Sequence, residues 1–356
     1  MLSEIGSNFW EYSLDNNINN VHFFWLDQQY KKQYYKSGRN AIKALCKNIN
    51  DKYKKVMLPI YTCETCIQPF IDEGWEICFY CLNKDLTVNI GDFMYLYNIE
   101  RPAVIFVHSY FGMNTIQNED FLLHCKEQGA IIVEDMTQSL FSNHKIKCAD
   151  YYVASFRKFM AIPDGGVLLS KHHIIECKCK KADERIEDIA ITAFNMKKEY
   201  FNNPSIQKKE LFRKKYNELN EFISDNNELQ EIGKISKKII LSCDKKEIVF
   251  RRRKNYEYLS QELNSVFFLK PVLDIYSDKD CPLYFPVYIE KREMLQAYLS
   301  ENNIYCPIIW KKPKQININD DVTNYMYSHM LCIPIDQRYD ISDMKRLVSV
   351  LYKYSC

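Results

Sequence analysis

The sequence is short of glycine, with only 9 among 356 residues, and it contains no Gly-x-Gly-x-x-Gly run. That run normally surrounds the pyrophosphate of a dinucleotide, so its absence counts against a dinucleotide cofactor. The Gly-Lys-[Ser/Thr] ending of a P-loop is missing as well. A P-loop nucleotide site is therefore not expected.

An excess of one charge and long apolar runs are also lacking. The chain has 48 Lys and Arg against 46 Asp and Glu, so the basic stripe typical of nucleic-acid-binding proteins is not expected. The longest apolar stretches, 104–107 and 131–133, have the length of a strand and are too short for a membrane helix. Residues 1–10 show no basic region followed by an apolar one, so we expect no signal peptide and a cytoplasmic location.

Cysteine, by contrast, is abundant, with 14 residues that should be reduced thiols in such a compartment. Cys63 with Cys66, and Cys78 with Cys81, have the Cys-x-x-Cys spacing that can hold zinc. The second pair lies in an apolar segment that indicates a buried strand, without the glycine that a zinc knuckle usually needs. We therefore expect these cysteines to be small buried hydrophobic residues, and we expect no metal.

Short apolar runs alternate with helical patterns between residues 37 and 170. Strands are predicted at 56–59, 76–80, 103–108, 130–133, 151–155 and 166–170, and helices from 37, over 62–73 and over 119–128. This alternation predicts an α/β fold, with a mostly parallel mixed sheet between helices. Ligands of such sheets bind at the carboxyl ends of the strands, where Tyr61, His108, Asp135 and Ser155 lie.

The remainder of the chain predicts a second, smaller α/β region. A charged helix is expected over 207–226, followed by helices at 248–263, 291–301 and 342–354 and strands at 283–289 and 305–309. We predict three parts: an N-terminal segment 1–36 that packs on the small domain, a large cofactor-binding domain 37–240, and a small C-terminal α/β domain 241–356.

Two motifs contain residues suited to ligand binding, one to an anion and the other to the protonated nitrogen of a ring. Ser37 and Gly38 begin a predicted helix whose free N–H groups suit a phosphate, although a simple helix cap explains them equally well. Asp135 ends the strand Ile-Ile-Val-Glu-Asp, and a carboxylate there can keep the pyridine nitrogen of pyridoxal 5'-phosphate (PLP) protonated. Taken alone, Asp135 is better explained as a helix N-cap.

A third motif places Lys158 between a strand and the Gly165-Gly166 pair, in the segment Ala-Ser-Phe-Arg-Lys-Phe-Met. The apolar neighbours and the cationic Arg157 should desolvate the amine and lower its pKa. Such an amine suits imine formation and proton transfer. The alternative is a surface lysine in a loop, which the aromatic neighbours disfavour.

In their order and spacing these motifs resemble the sugar aminotransferases of the DegT/DnrJ/EryC1/StrS family, which have the fold-type I PLP-transferase architecture. The similar segments are the helix start at 37–42, Leu-Pro-Ile-Tyr-Thr at 58–62, the Val-His segment that ends at Gly112, Glu-Asp-x-x-Gln at 134–138, Lys158 with Gly165-Gly166, and two C-terminal segments at 284–286 and 331–334. The resemblance runs through most of the chain.

The resemblance implies roles for particular residues. Lys158 would be the Schiff-base lysine and proton shuttle, Asp135 would hold the pyridine nitrogen, and Gln138 would contact the ring. Cys63 stands where an aromatic residue often stacks on the ring, so Tyr61 or Phe111 would stack instead. The full set of expected cofactor contacts is Gly38, Arg39, Asn40, Tyr61, Thr62, Cys63, His108, Asp135, Gln138, Ser155 and Lys158, with Gly38, Arg39 and Ser155 at the phosphate.

The resemblance also implies a PLP-dependent aminotransferase that works as a homodimer with shared active sites. The amino donor would be L-glutamate, and the acceptor a nucleotide-linked keto sugar of surface polysaccharide or secondary metabolism. Family members with His in place of the lysine are dehydratases, so Lys158 favours transamination. Two alternatives stay open: another PLP reaction (decarboxylation, dehydration or aldol cleavage), and a non-catalytic paralogue that binds PLP or a sugar nucleotide.

Overall fold

The structure is a computed structural model that describes residues 4–14, 24–49, 52–224, 228–273 and 276–354. Its strands are β1 (Ile5–Gly6), β2 (Lys31–Tyr35), β3 (Lys55–Pro59), β4 (Glu76–Tyr80), β5 (Val104–His108), β6 (Ile131–Asp135), β7 (Tyr151–Ser155), β8 (Gly166–Ser170), β9 (Lys270–Pro271), β10 (Tyr284–Tyr288), β11 (Ile304–Tyr305) and β12 (Met330–Pro334). Its helices are α1 (Gly38–Asn48), α2 (Glu64–Asp72), α3 (Ile90–Glu100), α4 (Asp120–Glu127), α5 (Glu184–Asn202), α6 (Ile206–Ser224), α7 (Lys234–Ser242), α8 (Lys245–Leu263), α9 (Arg292–Glu301), α10 (Asp321–His329) and α11 (Ile341–Tyr354).

Most of the predicted elements between 37 and 170 are confirmed to within two residues at each end. The strand predicted at 305–309 is wrong, because only Ile304–Tyr305 pairs and Pro307 has no N–H to continue a ladder. The charged helix is present as α6, while residues 225–226 of its predicted range lie outside the described residues. The sequence did not predict β1, β2, β9, β12, α3, α5, α7 or α10.

The chain divides into two compact units that interleave along the sequence. The first comprises Met1–Ser7, Asp51–Ala149 and Lys246–Cys356, and the second comprises Asn8–Asn50 and Asp150–Lys245. The domain boundaries predicted at 36 and 240 stay a prediction. Within the described residues, no helix is both long enough and apolar enough to cross a membrane.

The first unit contains four parallel strands in the order β4-β3-β5-β6. Helices α2, α3 and α4 each return the chain from one strand to the start of the next, which is the crossover connection that parallel strands require. All five residues of β5 are buried, as expected for a strand covered on both faces. Because the strands are parallel, their carboxyl ends meet at one edge.

The rest of the first unit is built from residues 246–356 and the first described residues. Strands β9 and β12 flank β10 in an antiparallel sheet, and β1 pairs in parallel with β11. Tyr339 fixes this pairing, because its hydroxyl both accepts from the N–H of Gly6 at 2.7 Å and donates to the carbonyl of Gly6 at 3.0 Å. Residues 5–6 are therefore anchored on the C-terminal elements.

The second unit combines an antiparallel sheet, β2-β8-β7, with helices α1, α5 and α6. Helices α5 and α6 pack together through an apolar cluster that includes Ala193, Phe194 and Leu219. Lys197 is fully buried in this unit, where its amine donates to the carbonyl of Asn8 and lies 4.6 Å from the ring centroid of Trp10. A buried amine held in this way fixes residues 8–10 on the helical pair.

Candidate active site

His108 and Asp135 lie side by side at the carboxyl edge of the sheet in the first unit. They end neighbouring parallel strands, and the β5–β6 register pairs their Cα atoms. Their side chains meet, with His108 Nδ1 3.1 Å from Asp135 Oδ2, and only 5% and 6% of the two side chains is exposed. The strand ends predicted from the sequence therefore bring an imidazole and a carboxylate into contact.

The hydrogen bonds around Asp135 keep its carboxylate ionised. Burial pushes its pKa upward, but the hydrogen bond and charge of His108 and the contacts of Thr137 outweigh burial, and the pKa is lowered. One of these contacts is the N–H of Thr137, which donates to Oδ1 at 2.9 Å. Asp135 is thus a buried anion able to face a cationic ligand group.

Thr62, which follows β3, orients the imidazole from its other side. Its hydroxyl lies 2.7 Å from His108 Nε2. The backbone of Thr62 is fixed in turn by Tyr327, whose hydroxyl accepts from the N–H of Thr62 at 2.9 Å and lies 2.9 Å from its carbonyl. Thr62, His108 and Asp135 therefore form one continuous buried chain of hydrogen bonds.

Gln138 is buried, and its side-chain oxygen is already engaged. The oxygen accepts from the N–H of Phe111 at 2.7 Å, in the turn where Phe111 has a φ of 50° and Gly112 a φ of 85°. A Cβ at Gly112 would come within 2.0 Å of the carbonyl oxygen of Cys281, so this turn requires glycine. Gln138 shapes the turn after β5, and its predicted ring contact stays a prediction.

The aromatic residues proposed to stack on a cofactor ring are enclosed. Tyr61 and Phe111 are both 0% exposed, and the Tyr61 ring packs 4.8 Å from that of Tyr327. Both rings are enclosed in the single chain, and their predicted stacking role stays a prediction. The half-buried ring of Trp310 lies 5.9 Å from the His108 ring. No spacing pattern pointed to Trp310, because it is far from His108 along the chain.

Cys66 adjoins the same carboxylate, and Cys63 adjoins Cys66. Cys66 Sγ is 3.7 Å from Asp135 Oδ2, and Cys63 Sγ is 3.4 Å from Cys66 Sγ. Ligand atoms of Cys66, His108 and Asp135 all lie within 4.8 Å of one another, close enough together for a metal ion. The expectation of no metal stays a prediction. Cys78 instead contacts the carbonyl of Val56 at 3.7 Å, in keeping with its predicted place in a strand.

In the second unit, the start of α1 lies against the end of β7. Ser37 caps the helix by accepting from the N–H of Asn40 at 3.2 Å. A Cβ added at Gly38 would come 3.2 Å from the Cβ of Ser155, so the two residues touch. The predicted phosphate residues Gly38 and Ser155 are thus adjacent, beside a helix N-terminus that attracts anions.

The other two residues predicted at this helix start have partners of their own. Asn40 is fully buried, and its side-chain oxygen accepts from the N–H of Gln230 at 3.0 Å. Arg39 extends to α6, where it donates to the hydroxyl of Ser224 at 2.9 Å. These contacts give Asn40 a structural role in joining α1 to the segment before α7.

The Gly165-Gly166 pair packs on the backbone just before and at the start of α1. The N–H of Gly165 donates to the carbonyl of Lys36 at 2.8 Å. A Cβ at Gly166 would lie 2.2 Å from the carbonyl oxygen of Ser37, which leaves no room for any other residue. The glycine pair thus sets the position of the helix start.

Lys158 ends a short 3-10 turn, Phe156–Lys158, after β7. The expectation that it is desolvated is wrong for the single chain, because Lys158 is exposed although its neighbours Phe156 and Phe159 are buried. The two aromatic side chains turn into the core, whereas the lysine is exposed. Burial instead lowers the pKa of Arg157, to about 10, and its guanidinium donates to Asn220 at 2.9 Å.

Asp164, immediately before the glycine pair, is an unexpected buried carboxyl. It is 1% exposed, and the N–H of Gly233 donates to its two oxygens at 3.2 and 3.1 Å. Burial raises its pKa to about 7, although contacts with Ser236 and Gly233 act in the opposite direction. The contact of Asp164 with Gly233, in the segment before α7, was not predicted from the sequence.

No protein-family model matches the sequence, and no curated protein matches it. Solved structures do match the fold. An aminotransferase of the DegT/DnrJ/EryC1/StrS family from Brucella abortus gives a TM-score of 0.65 at 14% identity, over 91% of this chain and 85% of that chain. PseC from Helicobacter pylori, an aminotransferase involved in the biosynthesis of pseudoaminic acid, gives 0.66 at 14% identity, over 90% and 86%.

GDP-4-keto-6-deoxymannose-3-dehydratase, ColD, in a mutant form with bound GDP-perosamine, gives a TM-score of 0.63 at 17% identity, over 90% of this chain and 88% of that chain. The chain has the fold of these enzymes. The expected fold class, α/β with the fold-type I architecture, is confirmed, and so is the resemblance in fold to the DegT/DnrJ/EryC1/StrS aminotransferases.

Proposed function

We propose that the protein is a PLP-dependent aminotransferase that transfers an amino group from L-glutamate to a carbonyl acceptor. The observation that carries the proposal is the ionised, buried Asp135 at the end of β6, held by His108 in a chain with this fold. When bound, PLP supplies an electron-withdrawing ring and an aldehyde that carries the amino group. The protein has to keep the ring nitrogen protonated and has to move one proton.

The residues around Asp135 fit the ring end of the cofactor. An ionised carboxylate stabilises a proton on a pyridine nitrogen, and Asp135 is ionised because His108 and Thr137 hydrogen-bond to it. Thr62 holds the imidazole from behind. Asp135 would therefore keep the proton on the ring nitrogen, and His108 would be a positioning residue for Asp135.

The residues at the start of α1 fit the phosphate end. The contact of Gly38 with Ser155 brings a hydroxyl next to the N-terminus of α1, where N–H groups and the helix dipole favour an anion. Gly166 holds this helix start in place. We assign the phosphate to Gly38 and Ser155, and we retain Arg39 as a further candidate because the residue is only half-buried.

Lys158 supplies the amine that would bind the cofactor covalently and would then move the proton between donor carbon and cofactor carbon. Its exposure in the single chain is consistent with a site that a second copy completes. We propose a homodimer with shared active sites on this basis. Covering the amine would lower its pKa by desolvation, as the chemistry requires.

For the acceptor we propose a nucleotide-linked keto sugar of surface polysaccharide or secondary metabolism. The support is the similarity in fold to PseC and to ColD, whose structure holds GDP-perosamine. A cytoplasmic location agrees with the free thiols of the described cysteines. A dehydratase remains a second candidate because ColD shares the fold.

The test is a half-reaction of the purified protein loaded with PLP. Adding L-glutamate should bleach the visible absorption band of the lysine-bound cofactor and release 2-oxoglutarate in equal amount. Lys158→Ala should bind PLP without that band and should release no 2-oxoglutarate, and Asp135→Asn should keep the band but slow the bleaching. A stable band with every amino donor, together with loss of water from a keto sugar, would favour the dehydratase.

A further inference from the structure

The Cys-x-x-Cys pair at the start of α2 lies next to the carboxylate of Asp135. Cys63 is the N-cap of the helix, and Cys66 is its third residue. Their sulfurs are 3.4 Å apart, while a disulfide needs about 2.05 Å. The two sulfurs therefore have to approach by only about 1.3 Å, which side-chain rotation can supply.

The two thiols differ in the way a dithiol exchange centre requires. Cys63 is partly exposed at a helix N-terminus, a position that favours thiolate. Cys66 is 8% exposed and lies beside Asp135. Cys63 is thus the sulfur that meets an oxidant first, and Cys66 is the resolving thiol.

The second Cys-x-x-Cys pair provides a contrast inside the same chain. Cys78 lies within β4, and Cys81 comes directly after that strand. Residues three apart along extended chain project to opposite faces and are separated by roughly 10 Å. The same spacing in the sequence therefore brings two sulfurs into contact at the start of a helix but keeps them apart along a strand.

We propose that Cys63 and Cys66 form a reversible disulfide by exchange with a low-molecular-weight disulfide such as oxidised glutathione. The Cys63 thiolate attacks one glutathione sulfur and releases the other glutathione as thiolate. Cys66 loses its proton to water and attacks the Cys63 sulfur, which releases the second glutathione. Two protein thiols are oxidised by two electrons, and one glutathione disulfide is reduced to two thiols.

The disulfide changes the hydrogen bonding of Asp135. In the reduced protein the thiol of Cys66 donates to Asp135 Oδ2, the oxygen that also contacts His108. In the oxidised protein Cys66 has no proton to donate. This regulatory step rests on the proposed function: without that donor, PLP should bind about two- to tenfold more weakly, the change expected for one lost hydrogen bond.

The experiment equilibrates the full-length protein, with and without PLP, at graded ratios of oxidised to reduced glutathione. Acid quenching, alkylation and peptide mass mapping then report every cysteine. We expect one two-electron transition at Cys63 and Cys66 while Cys78 and Cys81 stay alkylatable. Cys66→Ser should leave Cys63 as a mixed disulfide with glutathione, and the milder Cys63→Ser should leave Cys66 reduced.

The proposal would be overturned if Cys63 and Cys66 both stayed fully alkylatable under oxidising conditions in which the protein is folded. So would a tightly bound metal that protects the thiols until it is chelated, because the Cys66, His108 and Asp135 group would then be a metal site. An unchanged PLP affinity after oxidation would overturn the regulatory step. Absence of PLP binding in both redox states would refute the proposed function and leave the disulfide result standing.

Discussion

Replacing Asp164 by Asn should change the pH dependence of stability. The side chain is 1% exposed, and burial, the largest cause, raises its pKa from 3.8 to about 7. At about 1.4 kcal/mol per pKa unit, keeping this carboxylate ionised in the folded protein costs at most about 4 kcal/mol. Asn retains an oxygen for the N–H of Gly233 without carrying a charge.

The sign follows from the raised pKa. The folded protein binds the proton of Asp164 more tightly than the unfolded chain does, so this group contributes its full stability below about pH 4 and loses it as the pH rises towards about 7. The unfolding free energy of the wild type, relative to Asp164→Asn, should therefore fall by up to about 4 kcal/mol across that window. Denaturant unfolding at several pH values measures this difference.

Asp188→Asn is the matched control, because it removes the same charge from an exposed position on α5. Its stability relative to the wild type should vary little with pH over the same window. A difference between wild type and Asp164→Asn that stays constant from acid to neutral pH would refute the reasoning. That result would mean that Asp164 is ionised at ordinary pH and that Gly233 and Ser236 fully offset its burial.

Three further results are expected. His108→Leu should weaken PLP binding about tenfold, measured by cofactor titration, because Asp135 loses a hydrogen-bond partner. Unchanged affinity would remove His108 from the site. Gly166→Ala should lower the unfolding free energy, measured with denaturant, by more than about 3 kcal/mol. Gly129→Ala should lower it by only about 1 kcal/mol, because Gly129 has a positive φ but open space around it. Equal losses would contradict the close approach of Gly166 to Ser37. Lys197→Ala should destabilise the protein by about 2–4 kcal/mol in the same assay, since it leaves a cavity in an aromatic cluster. A neutral effect would contradict that packing.

Sequence patterns predicted the strands best where both faces are buried. Strands β5 and β6 are short apolar runs, and their parallel register follows from the alternation with helices. Strand β2 was missed because its sequence, Lys-Lys-Gln-Tyr-Tyr, is half exposed. Helix α3 was missed because apolar side chains such as Tyr95 and Ile99 project to solvent and blur the helical period.

The candidate site likewise contains features that the sequence predicts and contacts that it does not. His108 and Asp135 could be predicted because strand ends determine their position. The contacts of Asn40 with Gln230 and of Asp164 with Gly233 could not, since they join segments far apart in the sequence. The exposure of Lys158 depends on which way a single turn directs its side chains, which composition alone does not specify.

The central claim is that Lys158 binds PLP covalently. Reduction of the PLP-loaded protein with borohydride would fix such a bond, and peptide mass mapping would locate it among the lysines of the chain. We expect stoichiometric modification of Lys158. It should be lost in Lys158→Arg and retained in Lys43→Arg, which changes a lysine on α1. Stoichiometric labelling of another lysine, or no labelling of a protein that binds PLP, would contradict it.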